Sequence, residues 1–142
     1  MNTPTISNVA ASSSWSRGPV LLAEDDQTMR EMIASVLRSE GYEVREASNG
    51  NELWDLLVTE LDDGPVRRPG LVIADIRMPG ATGLAVLAAL REHNHSMPVV
   101  LTTAFGDPET HAQADKLGAA IVLDKPFDLS DLRTVVRALL GP

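Results

Sequence analysis

A doubly wound α/β domain on a five-stranded parallel sheet is the fold this 142-residue sequence predicts. Three observations predict it. Short apolar runs, mostly continuous rather than alternating, recur along the chain, as in strands buried on both faces. Each is followed by a segment whose apolar residues return at helical spacing. Strict strand–helix alternation calls for parallel pairing, because parallel neighbours need a crossover connection. The length suits one domain, since compact domains run to about 100–150 residues.

The elements follow in order. Val20-Leu21-Leu22-Ala23 is the first strand. Met29, Met32, Ile33, Val36 and Leu37 make the inward stripe of a helix that Gly41 stops. Tyr42-Glu43-Val44-Arg45 alternates and suits a strand nearer an edge. Asn49-Gly50 opens a second helix marked by Leu53, Leu56, Leu57 and Leu61, and a loop rich in Asp, Gly, Pro and Arg runs from Asp62 to Gly70. Leu71-Val72-Ile73-Ala74 is the third strand, with Leu84, Leu87 and Leu90 on the helix after it. Pro98 to Thr102 is the fourth. Asp107-Pro108 is a helix-start signal, an N-cap acceptor followed by proline at the first helical position. It leads into a weak helix, Ala112 to Leu117, ended by Gly118. Ala120-Ile121-Val122-Leu123 is the fifth strand, and Asp128 caps a last helix that turns Leu129, Leu132, Val135, Val136, Leu139 and Leu140 inward.

Composition narrows the function. Asp and Glu number 20 against 12 Lys and Arg, a net charge of −8. That argues against a nucleic-acid surface or an anionic membrane as partner, both of which need clustered positive charge. There is no cysteine, which excludes disulfides and thiolate chemistry and fits a reducing cytoplasm. Residues 1–18 read as a polar tail, without the basic start and apolar run of a signal peptide, and are expected to be disordered. Trp15 in it reads as an exposed aromatic, with a docking role as the alternative. Residues 19–142 are the domain.

In a doubly wound sheet ligands bind at the carboxyl ends of the strands, so the residues just after each strand matter most. Glu24, Asp25 and Asp26 follow strand one; Asp75 follows strand three; Thr102-Thr103-Ala104 ends strand four; Asp124-Lys125-Pro126 follows strand five. Each has a plain structural reading. Acids before a helix serve as caps, and Asp26 suits that role. Asp75 before Met78-Pro79-Gly80 suits a turn, Lys125 suits solvated surface, and a buried Thr bonds backbone. Together they suit chemistry. Glu24, Asp25 and Asp75 side by side repel unless a cation joins them, and a hard oxygen site of few ligands suits Mg²⁺. Asp75 becomes a candidate nucleophile toward phosphorus, and Lys125 a point cation for a phosphoryl group. Thr102 and Thr103 are adjacent, so only one faces the site.

In this order the runs Val20 to Asp26 (VLLAEDD), Leu71 to Gly80 (LVIADIRMPG), Leu101 to Ala104 (LTTA) and Leu123 to Phe127 (LDKPF) resemble the response-regulator receiver domain. Gly83 and Gly118-Ala119 also fit, and the resemblance covers about residues 19–140. It implies a (βα)5 flavodoxin-like fold with strand order 2-1-3-4-5. It implies Mg²⁺ bound by Glu24, Asp25, Asp75 and the backbone carbonyl of Arg77. Asp75 would be the phosphoacceptor, Thr103 the switch hydroxyl, and Lys125 the contact to the phosphoryl group. The Lys125–Pro126 peptide would be cis. The partners implied are a histidine kinase or histidine phosphotransfer protein, a downstream protein target, and a second copy through helix four, strand five and helix five. Catalysis would be confined to the domain's own phosphotransfer and slow autodephosphorylation.

Two positions stand out against the family's pattern. Val122 occupies the place, three residues before Lys125, where the family usually has an aromatic side chain linked to the switch hydroxyl. Phe105, two residues after Thr103, is expected to shield an acyl phosphate from water, as side chains there and at Arg77 influence in the family. His93 and His95 form a His-x-His pair at the opposite rim, where metal binding is disfavoured. An aspartate-nucleophile phosphatase is disfavoured because such enzymes place an acid where Arg77 stands, and a nucleotide binder because no Gly-rich phosphate turn follows strand one. A receiver-like interaction module that has abandoned phosphorylation is the remaining alternative. No output domain follows helix five in this sequence, which fits either a stand-alone regulator or a piece of a longer chain.

Overall fold

The structure, a computed structural model, describes residues 18–62, 68–93, 95–104, 106 and 108–141, with backbone alone at 60–62. Five strands and five helices alternate: β1 (Val20–Ala23), α1 (Gln27–Ser39), β2 (Val44–Ala47), α2 (Gly50–Asp62), β3 (Leu71–Asp75), α3 (Gly83–Glu92), β4 (Val99–Thr103), α4 (Pro108–Lys116), β5 (Ile121–Asp124) and α5 (Leu129–Leu140). The strands form one parallel sheet in the order β2-β1-β3-β4-β5. This is the doubly wound, flavodoxin-like order expected.

The period-two geometry of a strand builds two cores from the same apolar runs. Leu21, Val72, Ala74 and Leu101 point to one face, where Leu53 and Leu57 of α2, Leu87 and Leu90 of α3, and Ala114 of α4 cover them. Val20, Leu22, Ile73 and Val100 point to the other, against Ile33, Ala34 and Leu37 of α1 and Leu132 and Val136 of α5. The strand runs are continuous in sequence because both faces are buried. The two edges differ: β2 is half-buried between its ends, and β5 is exposed or half-buried throughout.

Several boundaries depart from the sequence reading. β2 begins at Val44, two residues later than expected, because Gly41 and Tyr42 donate to Arg38 and Leu37 carbonyls and so still belong to the end of α1. β4 begins after Pro98, which lacks an N–H and offers its carbonyl alone, to Val72. α4 begins at Pro108, the proline read as the first helical position, so the helix already spans the residues before the Ala112 to Leu117 stretch. Asp128 sits at the N-cap of α5 but makes no side-chain cap bond; its carbonyl accepts from Asp131 and Leu132 instead. Met32 and Leu139, expected inside, are exposed. Gly18, read as the last residue of the tail, is buried, and a Cβ on it would strike the Arg68 carbonyl. The expectations for residues 1–17, for Asp107 and for most of the 62–70 loop lie outside the described residues.

Truncation on the sheet should show how much the buried runs contribute. Leu101 is fully buried between α3 and the sheet. Leu101→Ala is expected to lower unfolding stability by about 2–5 kcal/mol, read as a lower urea midpoint at unchanged slope.

Candidate functional site

The carboxyl ends of β1, β3 and β5 bring one cation and three carboxylates together. Glu24 follows β1, Asp75 ends β3, and Lys125 follows β5. Lys125 Nζ donates to Glu24 Oε1 at 2.7 Å and to Asp75 Oδ2 at 2.6 Å. Both acids are buried, Glu24 at 2% and Asp75 at 6% exposure, and the ammonium that joins them comes from 101 and 50 positions away. The remaining oxygens are taken locally. Glu24 Oε2 accepts from the Asp26 amide at 3.0 Å, and Asp75 Oδ1 from the Arg77 amide at 3.1 Å. Asp26 caps α1, accepting from the Met29 amide at 2.9 Å.

Glu24, Asp25 and Asp75 each offer a carboxylate oxygen, and these lie within 4.8 Å of one another. Asp25 is the exposed member. An all-oxygen donor set of this size, open on one side, could hold a hard divalent cation that keeps some of its water. Burial pushes the Glu24 carboxyl above its ordinary pKa, against the lowering effect of its Lys125 and Asp26 hydrogen bonds. Burial also works against the Lys125 ammonium, but the bonds and attraction of Asp75 and Glu24 outweigh it and raise its pKa.

The other expected residues frame this pocket. Thr102 is the register partner of Asp75, and the Ile76 amide donates to its carbonyl at 2.8 Å. Thr103, buried at the end of β4, has Asp124 as its register partner and accepts the Lys125 amide at 2.7 Å through its carbonyl. Arg77 is exposed beyond Asp75. The Lys125–Pro126 peptide is cis. Gly83 opens α3 so close to Asp75 that a Cβ would stand 2.7 Å from the Asp75 carbonyl oxygen. His93 and His95 lie at the far end of α3, where His93 Nδ1 is 2.9 Å from the Ala89 carbonyl. Val122 is half-buried beside α4. Phe105 lies outside the described residues.

Two groups near the pocket escaped the sequence reading. Arg30 on α1 donates to the Glu24 carbonyl at 2.8 Å and pairs with Glu46 of β2 at 3.4 Å, so it braces the backbone that carries the first acid. Its spacing from Asp26 places it on the first turns of α1, but a backbone acceptor leaves no trace in a sequence. His111 of α4 lies 2.9 Å from Asp124 of β5, a pairing across two elements that no local spacing foreshadows.

A fold and rim of this kind define a receiver-type signalling module. A family model described as the response regulator receiver domain matches residues 20–137. The chain is 37% identical over 123 residues to the transcriptional regulatory protein FixJ of Azorhizobium caulinodans, covering 87% of this chain and 55% of that one. It is 29% identical over 121 residues to the sporulation initiation phosphotransferase F of Bacillus subtilis, covering 85% and 92%. Among solved structures it is similar to the receiver domain of the Francisella response regulator 1452, with a TM-score of 0.76 at 26% identity over 87% of this chain and 96% of that one. It is also similar to the Vibrio cholerae chemotaxis protein CheY4, with a TM-score of 0.74 at 28% identity over 87% and 98%. The chain belongs to the response regulator receiver domain family of two-component systems. It spans about half of the FixJ length and nearly all of the phosphotransferase. Among the described residues no helix is long and apolar enough to cross a membrane.

The raised Glu24 pKa has a measurable sign. A carboxyl whose pKa is higher folded than unfolded favours folding while protonated, and stability falls as pH rises from the unfolded pKa through the folded one. Glu24→Gln keeps the size and the acceptor but cannot ionise. Urea unfolding in chelator between about pH 4 and about pH 7 is expected to show this variant gaining stability on wild type as pH rises.

Proposed function

We propose that Asp75 is the phosphoacceptor of a two-component or phosphorelay pathway, taking a phosphoryl group from a phosphohistidine on a histidine kinase or a histidine phosphotransfer protein. The observation that carries this reading is the buried Asp75 carboxylate, held by Lys125 within reach of Glu24 and Asp25. An Asp75 carboxylate oxygen forms the new O–P bond. The N–P bond breaks, and the imidazole leaves with the electron pair and takes up a proton. Glu24, Asp25, Asp75 and the Arg77 carbonyl would hold Mg²⁺, which when bound neutralises charge on the phosphoryl oxygens. Lys125 exchanges a carboxylate oxygen for a phosphoryl oxygen and stabilises the charge that develops there. The Thr103 hydroxyl then donates to another phosphoryl oxygen, and water later hydrolyses the acyl phosphate. Positioning and electrostatics do the catalytic work, as in phosphoryl transfer generally.

The output is a changed protein-binding surface on the α4, β5 and α5 side, which is also the surface for any homodimer, and the setting is the cytoplasm. Val122 favours one rival, a module that binds partners without phosphorylation, because it lacks the aromatic ring through which such domains usually report.

Incubation with acetyl phosphate should separate the two. Intact mass is expected to show one labile phosphoryl group gained only with Mg²⁺ present, and none on Asp75→Asn. Lys125→Ala is expected to slow the gain by about 10²–10³-fold, the usual loss for a deleted transition-state charge donor. An unlabelled wild type, with a phosphohistidine donor failing too, would favour the rival; labelling of Asp75→Asn would refute the assignment.

A further inference from the structure

His111 and Asp124 stand outside the acid pocket, and the chemistry above uses neither. Asp124 ends β5 and directly precedes Lys125. Its carboxylate lies 2.9 Å (Oδ1) and 3.2 Å (Oδ2) from His111 Nε2. An ionised carboxylate only accepts, so Nε2 carries the proton and donates. The same carboxylate presses on Gly106, where a Cβ would overlap Oδ1. Gly106 lies between β4 and α4, and His111 on the first turns of α4. One carboxylate, a single residue from Lys125, therefore packs against Gly106 and ties α4 to the end of β5.

α4 buries little of its own surface. Ala114 is its one buried residue among those described. Beside it a recess of about 370 Å³ is bounded by His111, Ala112, Ala119, Ile121 and Val122. Ala112 is the one apolar α4 side chain on this recess, and apolar area is what fastens a helix to a sheet. The pair itself is half open to solvent, His111 at 38% and Asp124 at 56% of side-chain area, where charge pairing is screened and weak. A weak tie on a lightly packed helix is one that a small differential interaction can shift.

We infer that the His111–Asp124 pair, seated on Gly106, couples the state of Asp75 to α4. When Lys125 turns from Glu24 and Asp75 to a phosphoryl oxygen, Asp124 moves with it, the bond from His111 opens, and α4 loosens against the recess. The coupling rests on the phosphoacceptor reading; the tie itself does not.

Fluoroberyllate, which adds to a carboxylate as a phosphoryl analogue, is the probe. Its occupancy of Asp75 is read by fluorine NMR and α4 by amide exchange over residues 108–116. In wild type, fluoroberyllate with Mg²⁺ is expected to speed that exchange several-fold. His111→Ala removes the donor. It is expected to exchange at the fast rate before the probe is added and to gain nothing after, while still binding fluoroberyllate at Asp75. His111→Gln places an amide donor at similar reach and should restore the wild-type response, which a merely structural role for the ring would not predict. Gly106→Ala, which drives a methyl group into the carboxylate, should behave like His111→Ala. A wild-type response retained in His111→Ala, or a wild type whose α4 ignores bound fluoroberyllate, would overturn the coupling. Failure of fluoroberyllate to bind wild type would count against the phosphoacceptor reading instead. The tie would then stand or fall on resting exchange, with equal rates in wild type and His111→Ala overturning it.

Discussion

A single ammonium holds the site together. Lys125 Nζ bridges Glu24 and Asp75, two carboxylates that the apolar sheet has removed from water. Without a cation between them the two would repel and one would take up a proton. The bridge also requires β1, β3 and β5 to end at one level, so sheet order and register are prerequisites of the charge pattern. Parallel pairing on both sides of β3 meets that requirement. The two apolar layers supply the burial free energy against which the desolvation of Glu24 is set.

That dependence explains why so much was legible in the sequence. Strands buried on both faces must be continuous apolar runs, and residues at their ends converge whenever the sheet is parallel. Glu24, Asp75 and Lys125 therefore group together from the sequence alone. Local signals carried less. Asp128 has the right residue type and position for a cap, yet its side chain makes no cap bond. Met32 matches the period of α1 but lies on the exposed border of the stripe. β2 slid by two residues because the end of α1 claims Gly41 and Tyr42. In each case propensity was outvoted by a hydrogen bond or a packing angle set elsewhere in the fold.

What remained hidden were contacts between elements that need not be acidic, basic or apolar in any pattern. Arg30 reaches a backbone carbonyl, and an arginine on the first turns of a helix has many possible partners. Gly83 fits close beside Asp75 because its missing side chain makes room, a property visible only when the neighbouring backbone is in place. The Asp124 carboxylate packs against Gly106 and pairs with His111, from two segments 18 and 13 residues upstream. Spacing rules describe neighbours on one helix or one strand and do not reach such pairs.

The distribution of strength across the rim gives the molecule a direction of control. Interactions at its centre are buried and charge-assisted, with Lys125 at 2.6 and 2.7 Å from its partners. Those at its margin, toward α4, are exposed and weakly packed. A ligand shifts a conformational equilibrium only by the difference in its interaction with the two states. On the phosphoacceptor reading, a new dianion on Asp75 would change the strong central contacts first, and the exposed marginal ones would follow. If the proposed coupling holds, linkage makes it reciprocal: a partner that grips a loosened α4 would favour the occupied pocket. Val122 lines the recess beside α4, so a partner bound there would meet an aliphatic wall in place of an aromatic ring.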